Sequence, residues 1–428
     1  MRNWFIEKVF GDDFVLINPK GPSILICDGE GRVIWELLKQ ADFDFASIRG
    51  NVEVPKEETR QFEEFLGYLH EFVNGDVQTK GIGQSLHQYY FEHQVPLVVG
   101  LEINQQCQLA CKHCYNALNS SQARLPLFSI DRLGDDLAEM GAPYVIITGG
   151  EPLLHPDILA ICKTLTAKGL AVKVFTNGYA MTEKIAEELS AMNIFLVGFT
   201  LFGHNAELHE YISGVPNSFV RICRAIKLMN ENKVTVDVTF FLMQHNFDYR
   251  QEMFEWAKEE FGQAASYSVS ITPCESGALT PLGLEIDRQQ KIKLFTEMGI
   301  RYDPLVYGEH GTVPCTAGKT LCAVKYNGDV TPCVSLIHPV GSLHKQSFKE
   351  IWYNSTELKK FRALQLKDID ECNQCPRNKY CLRCYVSASF MNDLWGKDPH
   401  ACEISAVIEI VSKSKTLEVK EAYPCKKG

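Results

Sequence analysis

The chain has 428 residues, of which 45% are apolar and 22% charged, and this balance is typical of soluble globular proteins. At roughly 150 residues per domain, the length allows about three domains. The formal net charge of −10 disfavours a dedicated nucleic-acid-binding protein, which usually carries a basic face. No apolar run approaches the roughly 18–20 residues of a membrane helix, and Glu7, Asp12 and Asp13 interrupt any signal-peptide core. We therefore expect a cytoplasmic protein without a membrane partner.

Residues 1–75 are predicted to form a small separate α+β domain. Two helices are expected, one around residues 33–38 and one beginning near Pro55, which suits a first helical position. Residues 76–95 are polar and contain Gly81 and Gly83, so they are interpreted as a linker. Short apolar runs bounded by turn residues predict three strands before the first helix: Phe5–Val9, Phe14–Asn18 and Ser23–Cys27.

Residues 96–310 alternate short apolar runs with amphipathic helical patterns. This alternation predicts an α/β domain with a parallel sheet, either open or partly closed as a barrel of six strand–helix units. The final part, residues 311–428, is rich in cysteine and is expected to be a third domain. The six runs predicted as strands are Leu97–Ile103, Tyr144–Thr148, Val172–Thr176, Phe195–Leu201, Val234–Leu242 and Tyr267–Ile271.

The chain contains 16 cysteines, which is a high number for a protein without an export signal. Grouped cytosolic thiols indicate metal or redox chemistry more than a disulfide framework. Five cysteines stand outside the groups and are expected to be structural, although Cys274 lies near the expected mouth of the sheet, where an acid–base role is the alternative. The three groups are Cys107, Cys111 and Cys114; Cys315, Cys322 and Cys333; and Cys372, Cys375, Cys381, Cys384 and Cys402.

The first group, Cys107, Cys111 and Cys114, directly follows the strand at Leu97–Ile103. Three thiolates on a tight loop can hold three irons of a 4Fe–4S cluster. No fourth ligand is nearby, so one iron would keep an open position that can bind a small molecule, as an open catalytic zinc site does. The alternative is a zinc site in which His113 supplies the missing ligand.

This group resembles the signature Cys-x3-Cys-x2-Cys of the radical SAM superfamily, with His113 in the place of the aromatic residue before the last cysteine. Three further segments match the family in order, each at the end of a predicted strand: Thr148–Pro152, Thr176–Gly178 and Thr200. The resemblance implies a partial barrel that binds S-adenosylmethionine through an iron–sulfur cluster held by the catalytic Cys107, Cys111 and Cys114. It also implies cofactor-binding roles for His113, Gly149, Gly150, Glu151, Pro152, Thr176, Asn177, Thr200 and either Arg221 or Arg224. The family uses the segment at Gly149–Pro152 for the amino group of the cofactor, and a carboxylate or backbone carbonyls suit a cationic amine.

The later cysteines resemble the SPASM extension of radical SAM enzymes that modify peptides, which binds two auxiliary 4Fe–4S clusters. The resemblance implies one cluster on Cys315, Cys322, Cys333 and Cys384, and a second on Cys372, Cys375, Cys381 and Cys402. Only Leu382 and Arg383 separate the last paired cysteines, whereas the family commonly has three residues there. If Cys322 is not a ligand, the first auxiliary cluster has an open iron for a substrate thiolate. Two zinc ribbons are the alternative interpretation.

The N-terminal domain, residues 1–75, resembles the PqqD-like element that captures leader peptides of ribosomally made precursors. A winged helix that binds DNA is the alternative, but the second helix carries more acidic than basic residues and would be repelled by phosphate. An edge strand such as Ser23–Cys27 can pair with an extended peptide; plain packing of this strand is the other possibility. Residues 204–219 are similar to the region after the fourth strand in thioether-forming maturases, where His209 is expected to make a polar contact.

These resemblances imply a radical SAM peptide maturase that uses a 5′-deoxyadenosyl radical to install a crosslink, with a cysteine sulfur-to-carbon bond as the favoured product. The implied cofactors are S-adenosylmethionine and three 4Fe–4S clusters. The implied partners are a precursor peptide bound through its leader and an electron donor such as flavodoxin or ferredoxin, without nucleic acid. The alternatives are a maturase that forms a carbon–carbon link or epimerises a residue, an anaerobic sulfatase maturase, and an iron–sulfur transcription regulator.

Overall fold

The computed structural model describes residues 5–10, 13–18, 24–27, 29–52, 54–56, 58–74, 82–116, 122–263, 265–300, 315–391 and 393–414. The chain divides into two compact units, which meet in sequence between Val95 and Pro96. The boundary predicted between residues 310 and 311 lies outside the described residues. None of the helices in the described ranges is long and apolar enough to cross a bilayer.

The N-terminal unit begins with a three-stranded antiparallel sheet in the order β1-β2-β3. Helices pack their apolar sides on this sheet, and the fully buried Trp35, Leu38, Leu66, Leu69 and Phe72 form the core. The three strands agree with the sequence prediction to within one residue at each described end. The elements are β1 (Ile6–Phe10), β2 (Asp13–Ile17), β3 (Ile24–Cys27), α1 (Gly29–Gln40), α2 (Phe45–Asn51), α3 (Thr59–Asn74) and α4 (Ile82–Glu92).

Helix α4 corrects the interpretation of residues 76–95 as a linker throughout. The segment is polar, but Tyr90 and Val95 are buried at its end, and these two apolar contacts anchor the helix. Helix α2 is also absent from the sequence prediction, although Asp44 caps its first turn by accepting a hydrogen bond from the Ala46 backbone N–H. Both helices are too short or too polar to give a clear amphipathic pattern.

The second unit is built on one nine-stranded sheet in the order β12-β11-β10-β4-β5-β6-β7-β8-β9. Strands β10 and β4 to β9 are parallel, whereas β11 and β12 are antiparallel. The six runs predicted as strands correspond to β4–β9. The strands are β4 (Val98–Glu102), β5 (Tyr144–Thr148), β6 (Ala171–Thr176), β7 (Leu196–Leu201), β8 (Val236–Phe241), β9 (Ser266–Ser268), β10 (Leu321–Val324), β11 (Asp329–Thr331) and β12 (Gly341–Ser342).

Helices separate the parallel strands, as right-handed crossovers require. Those between β4 and β11 are α5 (Leu127–Met140), α6 (Ile158–Ala167), α7 (Glu183–Ala191), α8 (Ala206–Ser213), α9 (Ser218–Glu231), α10 (Arg250–Phe261) and α11 (Arg288–Glu297). The cysteine-rich segment adds α12 (Phe348–Asn354), α13 (Thr356–Ala363), α14 (Asp370–Asn373), α15 (Tyr385–Phe390) and α16 (Pro399–Lys413).

The cysteine-rich segment is joined to the parallel sheet rather than standing apart. Strand β10 pairs with β4 along four residues, from Leu321 opposite Val98 to Val324 opposite Leu101. The segment also has a small apolar core of its own, in which Phe361 and Tyr385 are fully buried. Its cysteines are therefore positioned by a sheet that is shared with the rest of the unit and by a core of the segment's own residues.

Candidate active site

The thiols of Cys107, Cys111 and Cys114 lie close together in the loop that follows β4. Burial raises the pKa of the Cys111 thiol well above its usual value, and the neighbouring Cys114 and Cys107 raise it further. Burial and Cys107 likewise raise the pKa of Cys114 to about 11. Buried thiols that repel one another when ionised need a cation to become thiolates, and a metal centre supplies that charge.

His113 does not complete a ligand set with these thiols. Its ring packs against Phe202 and Phe241, with centroids 4.8 and 4.9 Å away. Burial lowers the pKa of His113 to about 4, and the nearby His245 lowers it further, so the imidazole is neutral. Within the described ranges, no three histidine, cysteine or acidic side chains converge as ligands of a single metal ion do.

The two glycines after β5 lie directly against the segment that leads to Cys107. A Cβ atom on Gly149 would lie 2.4 Å from the carbonyl oxygen of Asn104, and one on Gly150 would lie 2.4 Å from that of Gln106. The backbone N–H of Gly150 donates to the backbone carbonyl oxygen of Asn104 at 2.9 Å, and the N–H of Glu151 donates to that of Gln106 at 2.8 Å. Only glycine permits this close approach, which explains the Gly-Gly pair.

Glu151 fastens this loop to the end of β6. Its buried carboxylate accepts hydrogen bonds from the Leu153 N–H at 3.0 Å, the Thr176 hydroxyl at 2.5 Å and the Asn177 N–H at 2.7 Å. Burial raises the pKa of Glu151 to about 7, although the three donors oppose the shift. Both oxygens are thus engaged within the chain, and a role of this segment toward the amino group of a cofactor stays a prediction. Pro152 begins the short 3-10 turn that Glu151 caps.

Asn177 connects the end of β6 to the first cysteine. Its side-chain amide donates to the Cys107 sulfur at 3.6 Å and accepts from the Gln108 amide at 2.9 Å. Two buried acceptors at this point, Oδ1 of Asn104 and Oε1 of Gln108, have no donor among the described residues. Unpaired buried acceptors are costly, and a bound donor such as an ammonium group would satisfy them. The residues present therefore fit a cationic ligand beside the cysteine loop.

The remaining predicted cofactor residues are less closely joined to this centre. Thr200 lies in β7 opposite Thr239 of β8, without a recorded contact to the cysteine loop. Arg221 on α9 is exposed, and its guanidinium stacks 4.3 Å from the ring of Tyr179, two residues after Asn177. Arg224 is instead paired with Glu183 at 3.0 Å on the exposed surface. Of the two arginines, Arg221 thus lies nearer to the loop after β6.

The later cysteines form two separate sets. Burial raises the pKa of Cys315 to about 12, and the neighbouring Cys384 and Cys333 contribute to the shift. Cys322 lies in β10, interacts with Cys333, and donates its thiol hydrogen to the Thr331 carbonyl at 3.1 Å. In the second set, Cys381 interacts with Cys372 and Cys402, and Cys402 with Cys375.

The short spacer between Cys381 and Cys384 is held by a buried arginine. The Arg383 guanidinium donates to the carbonyl oxygens of Gly396 and Leu394, at 2.9 and 2.6 Å. The Cys384 N–H donates to Asp398 at 2.9 Å, so this acidic side chain orients the start of α15. The short spacer is visible in the sequence, but the role of Arg383 in holding it is not. The carbonyl oxygens that accept from Arg383 are known only once the chain has folded.

The structure also settles the environment of two further sequence candidates. His209 is buried and accepts a hydrogen bond from the Phe202 N–H at 3.3 Å, which confirms the polar contact. Burial lowers its pKa to about 4. The thiol of Cys274 lies near Cys114 and accepts from the Ser276 hydroxyl at 3.2 Å.

A cluster of four polar and charged side chains beside the first cysteines was not predicted from the sequence. It consists of Glu102, Tyr115, Glu275 and Lys325. The Tyr115 hydroxyl, one residue after Cys114, donates to Glu102 at 2.9 Å. Lys325 pairs with Glu102 at 2.8 Å and with Glu275 at 2.5 Å. One signal was present in the sequence, since Glu102 places a charge within an otherwise apolar strand.

Two domain families match the parts of the chain that carry these centres. Residues 101–257 match the radical SAM superfamily, and residues 315–376 match the SPASM iron–sulfur cluster-binding domain. The first match contains Cys107, Cys111 and Cys114 with the loops after β5 and β6. The second contains Cys315, Cys322, Cys333, Cys372 and Cys375.

Two curated proteins resemble this chain over about two thirds of its length at less than 30% sequence identity. The chain is 28% identical over 324 residues to an AdoMet-dependent heme synthase of Methanosarcina barkeri, covering 68% of this chain and 92% of that protein. It is 26% identical over 308 residues to the antilisterial bacteriocin subtilosin biosynthesis protein AlbA of Bacillus subtilis, covering 69% and 68%.

In fold, the chain is similar to Streptococcus suis SuiB bound to its precursor peptide SuiA. The TM-score is 0.64 at 15% identity, covering 94% of this chain and 99% of SuiB. At this identity the likeness concerns the fold alone. On this fold, residues 101–257 match the radical SAM superfamily and residues 315–376 match the SPASM iron–sulfur cluster-binding domain.

Proposed function

We propose that the chain is a radical SAM enzyme that crosslinks a ribosomally made precursor peptide, with a cysteine thioether as the product. The observation that carries this proposal is the arrangement of three thiol sets in one unit, together with a separate N-terminal sheet in which β3 is an edge strand. The relatives AlbA and SuiB, whose names refer to bacteriocin biosynthesis and a bound precursor peptide, support a peptide as the substrate class.

In this proposal Cys107, Cys111 and Cys114 hold the cluster that binds S-adenosylmethionine. When bound there, the cluster and S-adenosylmethionine would supply the radical chemistry that removes hydrogen from an unreactive carbon of the peptide. The residues of the chain itself would orient the bound groups and exclude water from the site. Asn177 holds the Cys107 side of the loop, and the apolar rings around His113 cover the other side.

The cofactor itself would lie along the loops after β5, β6 and β7. The unpaired Oδ1 of Asn104 is suited to its amino group, because it is an acceptor without a donor among the described residues, and the backbone of Gly149 and Gly150 lies directly against Asn104 and Gln106. Thr176 and Asn177 are assigned to neighbouring contacts with the cofactor. Glu151 and Pro152 are assigned to such contacts through their backbone. Thr200 is assigned to the ribose or the carboxylate, and Arg221 is preferred over Arg224 for the carboxylate since Arg224 is already paired.

The two later thiol sets are assigned to two auxiliary 4Fe–4S clusters, which would bring the total to three. The first set is Cys315, Cys322, Cys333 and Cys384, and the second is Cys372, Cys375, Cys381 and Cys402. Burial raises the pKa of Cys315, Cys333 and Cys381, so a bound metal would stabilise their thiolates. An external flavodoxin or ferredoxin is the proposed electron donor.

The N-terminal unit is assigned to capture of the leader segment, as in PqqD-like domains. Strand β3 pairs with β2 and is an edge strand of the described three-stranded sheet. An extended peptide can add a strand at such an edge. Deleting residues 1–75 should weaken peptide affinity more than SAM cleavage without peptide; unchanged affinity would contradict this assignment.

The test is anaerobic incubation of the reconstituted protein with S-adenosylmethionine, a reductant and the peptide encoded by the small reading frame beside its gene. A thioether maturase should yield 5′-deoxyadenosine and a peptide lighter by two hydrogens per link, with the linked thiol no longer alkylatable. The matched control replaces Cys107, Cys111 and Cys114 by Ala, which should abolish SAM cleavage while the auxiliary iron remains. No 5′-deoxyadenosine with the intact protein would contradict the proposal.

The same incubation separates the alternatives. A carbon–carbon link would also remove two hydrogens but leave every thiol alkylatable, whereas an epimerase would leave the mass unchanged. A sulfatase maturase would oxidise a single cysteine or serine, and a transcription regulator would form no 5′-deoxyadenosine. The similarity to heme synthases favours one further candidate, a tetrapyrrole substrate. A parallel incubation with porphyrin precursors decides between the two substrate classes.

A further inference from the structure

A buried ion cluster lies beside the first cysteine loop, and the proposed function assigns it no role. The ammonium group of Lys325 contacts Glu102 at 2.8 Å, Glu275 at 2.5 Å and the Val334 carbonyl oxygen at 2.5 Å. The side chains of Lys325 and Glu102 are 8% and 1% exposed, and that of Glu275 is 13% exposed. The ammonium thus donates hydrogen bonds to Glu275 and Val334 and forms an ion pair with Glu102, which together offset the burial of its charge.

The cluster joins strands that stand far apart in the order of the sheet. Glu102 ends β4 and Lys325 follows β10, its neighbour, whereas Glu275 follows β9 at the opposite edge. In a flat sheet β9 and β10 would be roughly 29 Å apart, since strands are spaced by about 4.8 Å. The seven residues from Ser268 to Glu275 span at most about 25 Å. In a flat sheet the contact would need this segment and both side chains to be largely extended, and Lys325 thus joins the segment after β9 to those after β4 and β10.

The same cluster touches the loops of two different cysteine sets. Tyr115 follows Cys114; its hydroxyl donates to Glu102 at 2.9 Å, and its carbonyl oxygen accepts from the Glu275 N–H at 2.7 Å. On the other side, Lys325 donates to the carbonyl of Val334, which follows Cys333. The Cys333 thiol interacts electrostatically with Lys325, and the Cys114 thiol interacts with Glu275.

A cation is stable in this position because both carboxylates act on it. Burial by itself would lower the pKa of Lys325, but Glu102 and Glu275 outweigh that effect and hold it above the usual value. The two carboxylates therefore favour the charged form of Lys325, while burial raises the pKa of Glu102. A fixed positive charge between two sets of thiolates stabilises whichever set gains an electron.

We propose that Lys325, clamped by Glu102 and Glu275, is a positioning residue that places one cation between the Cys114 and Cys333 loops and thereby sets the reduction potentials of the two centres. This inference rests on the iron–sulfur centres of the proposed function but not on its peptide substrate. It assigns to the Glu102–Lys325–Glu275 cluster the electrostatic link between the SAM-binding centre and the first auxiliary centre.

The experiment measures midpoint potentials of the reconstituted, full-length protein by redox titration followed with EPR. Lys325→Met removes the cation and should shift both centres to more negative potential, whereas Lys325→Arg should restore most of the difference. Lys349→Met is the matched control, because Lys349 pairs with Glu139 on the exposed surface and should leave both potentials unchanged. The second auxiliary centre, whose cysteines have no recorded contact with Lys325, serves as an internal reference.

Glu275→Gln provides a second variant that keeps the Lys325–Glu102 pair and is expected to fold. Removing its negative charge should shift the same two centres in the opposite direction, to more positive potential. A purely structural role would not produce opposite signs. Wild-type potentials in folded Lys325→Met and Glu275→Gln would overturn the inference; if Lys325→Met does not fold, the sign of the Glu275→Gln shift decides. Failure of the wild type to bind iron would instead refute the proposed function.

Discussion

Glu151 accepts a hydrogen bond from the backbone N–H of Asn177 at 2.7 Å, although the two residues follow different strands of the parallel sheet. Through this bond a buried carboxylate fixes the loop after β6, and Asn177 in turn contacts the Cys107 sulfur. Adjacent parallel strands end at the same edge, so a short side chain can join their loops. The loop after β5 therefore acts on the cysteine centre through Asn177.

Replacing Glu151 by Gln should weaken binding of S-adenosylmethionine. Gln keeps one acceptor but turns an NH₂ group toward donors that Glu151 now satisfies, at a cost of about 1–3 kcal/mol. This cost corresponds to roughly 5- to 150-fold in the dissociation constant if it falls on binding. Equilibrium dialysis of the reconstituted protein measures it. Glu183→Gln, which removes an exposed ion pair, is the control and should change binding little.

Gly150→Ala should separate the loop after β5 from the cysteine loop. The new Cβ would lie 2.4 Å from the Gln106 carbonyl oxygen and 2.5 Å from that of Gln105, and both are backbone atoms that cannot rotate away. Overpacking of this kind costs about 1–3 kcal/mol. We expect SAM cleavage to fall by at least about tenfold. Gly283→Ala, with open space around the added methyl group, should cleave at the wild-type rate; equal rates for both variants would contradict the prediction.

Whether Cys322 is a cluster ligand can be tested by comparing the effect of its substitution with that of Cys333. Cys333 interacts with Cys384, and Cys315 interacts with both, whereas Cys322 interacts with Cys333 alone and bonds to the Thr331 carbonyl. We expect Cys333→Ser to lose most of one cluster, about 4 iron atoms per chain, and Cys322→Ser to lose less. Iron analysis with Mössbauer spectroscopy measures the difference. Equal loss in both variants would establish Cys322 as an equivalent ligand.

The pair of His400 and Glu285 should make stability depend on pH. His400 on α16 contacts Glu285 at 2.8 Å, and this hydrogen bond raises the pKa of His400 above 6.5. Burial opposes ionisation of Glu285, but His400 and Lys291 outweigh it and lower its pKa below 4.5.

A raised histidine pKa gives stability that is fully present below about pH 6.5 and is lost as the pH rises through the folded value. A lowered glutamate pKa gives stability present above about pH 4.5 and lost at more acidic pH. His400→Gln should therefore lower the thermal midpoint most between these values, by about 1–3 °C, and least near pH 9. A deficit that is constant across this range would contradict the assignment.

Sequence alone predicted the strands and the cysteine groups because each depends on local pattern. The run Tyr144–Thr148 is a strand at its predicted bounds, since continuous apolar residues between turn signals suit a buried parallel strand. The motif Gly149-Gly150 could be placed at a strand end, but its close contact with Asn104 and Gln106 was not predictable. Helix α4 was missed because its burial depends on residues far away in the chain.

The amino-acid sequence determined which chemistry the chain can hold, since the spacing of Cys107, Cys111 and Cys114 on one loop is a local property. Tertiary structure alone decided how the centres are connected. Strand β10 extends the parallel sheet beside β4, and the fold brings Glu275, which follows β9, to Lys325, which follows β10. No pattern in the sequence encodes such a contact, because burial of one ammonium requires acceptors from three segments that meet only when the sheet has formed.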